Sequence, residues 1–132
     1  MTPIAGFRLT LSRVILFCAD LGALQSFYVR NFGCTIREEI AGEWVVLDCG
    51  GFELALHKVG KGYEPAPGEK FVVGGNTKLV FRLTGDLDSF RNRLQNEGIK
   101  IGEIKTFEGF SSRFCDGEDP EGNVFQIECP AQ

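Results

Sequence analysis

A chain of 132 residues suits one domain that buries roughly two-thirds of the surface its unfolded form exposes, and 43% apolar with 24% charged residues excludes disorder and low complexity. The formal charge of −4, with Lys and Arg scattered rather than clustered, excludes an electrostatic footprint for nucleic acid. No apolar stretch nears the roughly 20 residues of a membrane helix, and residues 1–7 lack the charged start and long apolar run of a signal peptide, so a cytoplasmic protein away from membranes is expected.

The first recognisable phrase runs from Val14 to Gly33: a short apolar strand, Asp20 as helix cap, then Leu24, Phe27 and Tyr28 at helical spacing. Gly33 stands where a helix C-terminus favours a left-handed residue. Strand patterns follow at Thr35 to Ile40, Trp44 to Cys49 and, beyond a Gly50-Gly51 turn, Phe52 to His57. Residues 59–77 then hold Gly60, Gly62, Pro65, Pro67, Gly68, Gly74 and Gly75, the composition of a long connection.

From Leu79 the phrase returns. Leu79, Phe81 and Leu83 alternate as in a strand, Asp86 caps a helix carrying Phe90 and Leu94, and Gly98 ends it. Strand patterns at Lys100 to Lys105, Ser112 to Asp116 and Val124 to Cys129 complete it, the last two separated by an Asp119-Pro120-Glu121-Gly122 turn. The cap-to-glycine spans, Asp20 to Gly33 and Asp86 to Gly98, differ by one residue (33 − 20 = 13 against 98 − 86 = 12). The chain therefore reads as an α+β protein of two tandem βαβββ modules, about 9–58 and 78–130, joined by 59–77. A module of this size closes no core alone, so the pair is expected to form a single domain over 1–132. A ferredoxin-like βαββαβ domain has too few strands for the pattern.

Five cysteines, Cys18, Cys34, Cys49, Cys115 and Cys129, make no C-x-x-C pair; the odd number fits reduced thiols acting as small core residues. His57 is the only histidine, hence the only imidazole that could activate one of them.

The doubled βαβββ phrase, with its Asp20-to-Tyr28 helix start and its Asp119-Pro120-Glu121-Gly122-Asn123 turn, resembles the vicinal oxygen chelate superfamily over nearly the whole chain. The resemblance implies that each module curls into a cup, the two cups forming paired curved sheets around a central cavity. It also implies a homodimer, and metal ligands on the first and last strand of each module. By register those four positions fall on Arg13, Glu53, Lys78 and Gln126. Two of them are cationic and only Glu53 is a carboxylate, so no metal and no cofactor is expected, with the Arg13 guanidinium supplying the positive charge beside Glu53. A divalent cation, if bound, would sit near Glu53 and Gln126.

Strand alternation then gives the inward-facing set: Arg13, Ile15 and Phe17; Glu53 and His57; Lys78 and Arg82; Gln126 and Glu128. A structural ion pair is the simpler reading of Arg13 and Glu53, and a surface or hydrogen-bonded role the simpler reading of His57. Trp44, Phe17 and Tyr63 have rings able to stack on a planar ligand, and Arg82 with Arg113 would widen a cationic rim. Three functions are compatible with this set: a metal-free protein that binds a small organic ligand, anionic if Arg13, Lys78 and Arg82 outweigh Glu53 and Glu128, uncharged and aromatic if internal carboxylates neutralise all three cations; a metal-dependent lyase, isomerase or dioxygenase centred on Glu53; and a metal-free enzyme with Glu53 or His57 as base. The first is favoured, because Arg13 and Lys78 oppose a dication, with selectivity left to the loop around Val59 to Val73.

Overall fold

The computed structural model describes residues 5–71, 75 and 77–131. The element order is β1 (Arg13–Cys18), α1 (Leu21–Phe32), β2 (Thr35–Ile40), β3 (Trp44–Asp48), β4 (Glu53–Lys58), β5 (Lys78–Arg82), α2 (Leu87–Asn96), β6 (Lys105–Thr106), β7 (Arg113–Glu118) and β8 (Val124–Cys129). This is the βαβββ order twice over, α+β as the repeat implies. The chain divides into two compact units between Glu64 and Pro65, inside the Gly- and Pro-rich connection. Residues 72–74 and 76 of that connection, which include part of the expected selectivity loop, lie outside the described residues.

In the first unit Asp20 starts α1 by accepting the Ala23 N–H at 3.0 Å, satisfying one of the donors a helix start leaves over. Leu21, Leu24, Phe27 and Tyr28 form its buried stripe, and Gly33 ends it at φ 70°. The sheet has the order β1-β4-β3-β2. β1 runs parallel to β4, with Arg13 opposite Glu53 and Phe17 opposite His57, and the remaining pairs are antiparallel. Leu54 and Leu56 lie on the face that receives the helix, buried with Val45 and Leu47 of β3.

The second unit repeats the plan with the order β5-β8-β7-β6. Asp86 caps α2, accepting from the Ser89 N–H at 3.1 Å and its hydroxyl at 2.5 Å. Leu87 and Leu94 of the helix are buried, as are Phe125 and Ile127 of β8. The Asp119-to-Asn123 turn is organised by one buried carboxylate: Asp119 Oδ1 accepts the N–H groups of Glu121 and Asn123, each at 2.9 Å, and Oδ2 accepts the Asn123 side-chain amide at 2.8 Å.

One element differs from its sequence expectation. Instead of a strand over Lys100 to Lys105, only Lys105–Thr106 is regular, pairing with Phe114 and Arg113. Ile101 bridges Gly117 one step out of that register, with Glu118 N–H bonded to Lys100 O at 3.0 Å and Gly102 N–H to Asp116 O at 2.8 Å. The backbone is thus paired at both ends while the shift takes Glu103 and Ile104 out of the ladder, which alternation of side chains does not reveal.

Candidate functional site

Opposite partners in a ladder share a sheet face, so the register assigns the face of the first sheet turned away from α1. One row holds Arg13, Glu53 and Asp48; the next holds Ile15, Ala55, Val46 and Glu38; the third holds Phe17, His57, Trp44 and Ile40. Every inward residue expected on β1 and β4 is on this face.

Arg13 and Glu53 touch. Arg13 Nε and Nη2 both donate to Glu53 Oε1, at 3.1 and 2.8 Å, with the side chains 35% and 27% exposed. The second oxygen, Oε2, lies 3.9 Å from Arg37 Nε, and Arg37 Nη1 donates to Asp48 Oδ2 at 3.3 Å. Asp48 in turn accepts the Gly50 and Gly51 N–H groups at 3.1 and 2.9 Å, fixing the β3–β4 turn. The cluster is therefore two arginines against two carboxylates. Arg37 reaches it because the ladder shifts between Ile36 and Glu38, a bulge that re-aims the intervening side chain. Sequence reasoning missed Arg37 because alternation along β2 gives no sign of the bulge, and Asp48 because its place opposite Glu53 is set by the β3–β4 register.

The third row is aromatic. The Phe17 and His57 rings lie 5.3 Å apart, and Trp44 meets His57 edge-on at 5.7 Å. Arg13 Cζ stands 5.6 Å from the centroid of the Trp44 ring, a cation–π approach across the intervening row, and Trp44 Nε1–H donates to Glu38 at 3.1 Å. His57 Nδ1 is 2.7 Å from the Lys58 carbonyl oxygen; a carbonyl only accepts, so Nδ1 carries a proton, and in the neutral ring the lone pair is on Nε2. Ile15 and Phe17 remain 43% and 59% exposed, enough apolar surface for a ligand to cover. Tyr63 makes no part of this row and is 78% exposed.

In the second sheet Lys78, Val80 and Arg82 share a face with Gln126, Glu128 and Asp116. Lys78 Nζ lies 2.7 Å from Asp116 Oδ2, while Gln126 Nε2 donates to Asp116 Oδ1 at 3.0 Å. Arg82 Nε stands 3.8 Å from Glu128, whose other oxygen accepts from the Ser112 hydroxyl at 3.2 Å. Gln126 is opposite Val80, not Lys78, so the Arg13–Glu53 geometry is not duplicated here. Asp116 holds the set together instead. Its place on β7 was visible, but its neighbours depended on a β7–β8 register that no local signal fixes. Arg113, the other rim candidate, bonds to Asp88 at 3.1 Å, beside an open pocket of about 490 Å³ that includes Asp86 and Cys129.

The divalent cation implied by the resemblance finds a poor donor set. Of Arg13, Glu53, Lys78 and Gln126, two are cations, and one oxygen of the single carboxylate already accepts two guanidinium N–H groups. Among the described residues no three His, Cys, Asp or Glu side chains gather as a metal would need. The residues present do not fit the metal. No helix among the described residues is long and apolar enough to cross a membrane.

Comparison with known proteins accords with this architecture. The crystal structure of a lactoylglutathione lyase from Agrobacterium tumefaciens superposes with a TM-score of 0.71 at 20% identity, covering 91% of this chain and 92% of that one. The fosfomycin resistance protein FosX from Listeria monocytogenes gives 0.73 at 13%, covering 95% and 96%, and an integron cassette protein from Vibrio cholerae gives 0.70 at 23%, covering 94% and 97%. At such identities the likeness is one of fold. No protein of curated function matches the sequence significantly. The family model for the Glyoxalase/Bleomycin resistance protein/Dioxygenase superfamily matches residues 10–127, nearly the whole chain, and the protein belongs to that superfamily.

Proposed function

We propose that this member of the superfamily binds an uncharged, ring-bearing organic molecule without a metal, seated against the exposed Phe17, Trp44 and His57 row of the first sheet. The observation that carries the reading is charge balance: Arg13, Lys78 and Arg82 each stand beside a carboxylate, Glu53, Asp116 and Glu128 respectively. An anionic ligand, which the sequence favours, would have to displace one of those partners, whereas a neutral ring has only to cover apolar surface. Ile15 and Phe17 supply that surface, the Trp44 and His57 rings supply edges and faces for stacking, and the His57 Nε2 lone pair accepts from a ligand hydroxyl or N–H.

Trp44 is the only tryptophan, so fluorescence excited at a wavelength that tyrosine does not absorb reports on this face alone. Titration with matched acidic, neutral and basic aromatic compounds, followed in parallel by thermal melting, is expected to show quenching and stabilisation by the neutral series. Phe17→Ala should weaken that binding by about tenfold, the loss of one well-placed aromatic contact. Stabilisation confined to the acidic or basic series, or neutral binding indifferent to Phe17→Ala, would refute the reading. Elemental analysis decides the metal-dependent alternative: about one metal per chain, lost on Glu53→Ala, would transfer the function to a lyase, isomerase or dioxygenase.

A further inference from the structure

Cys34 and Cys49 are far apart in the chain but adjacent in the first sheet. Thr35 on β2 is the Cα partner of Asp48 on β3, so the antiparallel ladder extended by one step sets Cys34 opposite Cys49. Opposite residues in such a ladder have Cα atoms roughly 4.5–5.5 Å apart, within the span that a disulfide bridges. The backbone at both positions is anchored: Cys34 N–H bonds to Tyr28 O at 3.3 Å, just past the end of α1, and Cys49 N–H bonds to Phe52 O at 2.8 Å, in the β3–β4 turn. Both thiols are free; Cys34 is 2% exposed, and Cys49 is half-buried and open to solvent.

From this placement we infer that Cys34 and Cys49 form a reversible dithiol–disulfide pair, oxidised by a small hydroperoxide, in which Cys49 meets the oxidant and Cys34 resolves it. The two thiols also hydrogen-bond to each other, which lowers the Cys34 pKa; at Cys49 the same bond, followed by burial, raises it. The pair thus shares one proton more readily than it gives up both. Cys34 first gives up its proton to solvent; as Cys49 Sγ attacks a peroxide oxygen, the Cys49 proton passes along the hydrogen bond to the Cys34 thiolate. The O–O bond breaks and hydroxide leaves, taking the Cys34 proton as water. The Cys34 thiolate then attacks the Cys49 sulfenic sulfur, the S–O bond breaks, and the second hydroxide is protonated by solvent. Two thiols and one hydrogen peroxide become one disulfide and two waters, with the peroxide as the two-electron acceptor.

The other cysteines serve as internal controls. Cys18, the nearest in the same unit, directs its sulfur to the His57 carbonyl oxygen at 3.6 Å, and Cys129 directs its own to the Gly85 carbonyl oxygen at 3.4 Å. Cys115 is 2% exposed, which keeps an oxidant in solution away from it, and burial raises its pKa.

The test treats reduced, folded protein with hydrogen peroxide, blocks remaining thiols with N-ethylmaleimide under denaturing conditions, and digests with trypsin without reductant. Arg30, Arg37 and Lys58 bound the informative peptides, residues 31–37 and 38–58. The expected result is that these two peptides appear joined, lighter by two hydrogen atoms than their sum, as the predominant linked species, and that dithiothreitol separates them. Cys49→Ser should abolish the link and leave Cys34 mostly available to the maleimide. Recovery of both wild-type peptides singly, each blocked by maleimide or over-oxidised, would overturn the inference. So would links scattered evenly among all five cysteines. The wild-type digest decides the matter whether or not the variant folds.

Discussion

Gly117 is a glycine for lack of space rather than for its backbone conformation. It is the ladder partner of Phe125, whose ring lies close against it and is fully buried. A Cβ built there would collide with the Phe125 ring edge and stand 2.8 Å from the Lys100 carbonyl oxygen, which belongs to backbone and cannot swing aside. Gly117→Ala is therefore expected to cost about 3 kcal/mol in urea unfolding, the upper part of the range for overpacked cores, and Phe125→Leu in the same chain should recover part of that loss. A variant as stable as the parent would mean that the β7–β8 packing described above is wrong. The candidate site shows the same dependence on neighbours. The family resemblance supplied Arg13 as a site position, and alternation, a local signal, put Arg13, Phe17, Glu53 and His57 on one face. Arg37, Asp48 and Asp116 escaped because their contacts arise from a bulge and from cross-strand registers, which depend on residues distant in sequence.

At the level of elements, the helices were the most legible parts, since a cap, an apolar stripe and a terminal glycine are all written within about a dozen consecutive residues. The strands were legible in number and, at β2 and β8, in their limits, whereas β6 shrank to Lys105–Thr106 once pairing rather than alternation decided it. The α2 cap has a measurable pH signature. The Ser89 hydroxyl and then the Ser89 N–H hold Asp86 below its ordinary pKa, with Arg113 adding to the effect. A carboxylate so depressed stabilises the folded state fully above its unfolded pKa of about 3.9 and loses that contribution as pH falls through the folded value. Urea midpoints of the parent and of Asp86→Asn should therefore differ at neutral pH and converge below about pH 4. Curves that stay parallel down to about pH 2 would show that the carboxylate charge contributes nothing to the cap.

For the molecule as a whole, the duplication was visible because the same local phrase is spoken twice, and the division between Glu64 and Pro65 falls inside the segment that glycine and proline had marked. The two copies are not equally well filled. Among the described residues the strands β3 and β4 of the first unit bury Val45, Val46, Leu47, Leu54, Ala55 and Leu56 to 3% exposure or less, and α1 adds a stripe of four buried residues; in the second unit β7 and β8 bury Cys115, Phe125 and Ile127 to that extent, and α2 adds only Leu87 and Leu94. Native-state hydrogen exchange should accordingly find its slowest amides in β3 and β4, with those of β7 and β8 opening at lower free energy. Slower exchange in the second unit would contradict this ranking.

β2 lies at the margin of its sheet, and all six of its residues are exposed. A strand so placed offers a row of backbone donors and acceptors to any passing chain, the template from which fibrous aggregates grow. Here the row is guarded three times over: Arg37, Glu38 and Glu39 place charge along it, the bulge after Ile36 bends it, and its cations and carboxylates are tied to the sheet behind. The residues that assemble the Arg37–Asp48–Glu53 cluster thus also keep one copy of the protein from adding itself to the next. Substitutions there that leave binding intact would be expected to show their cost as lost solubility in concentrated solution.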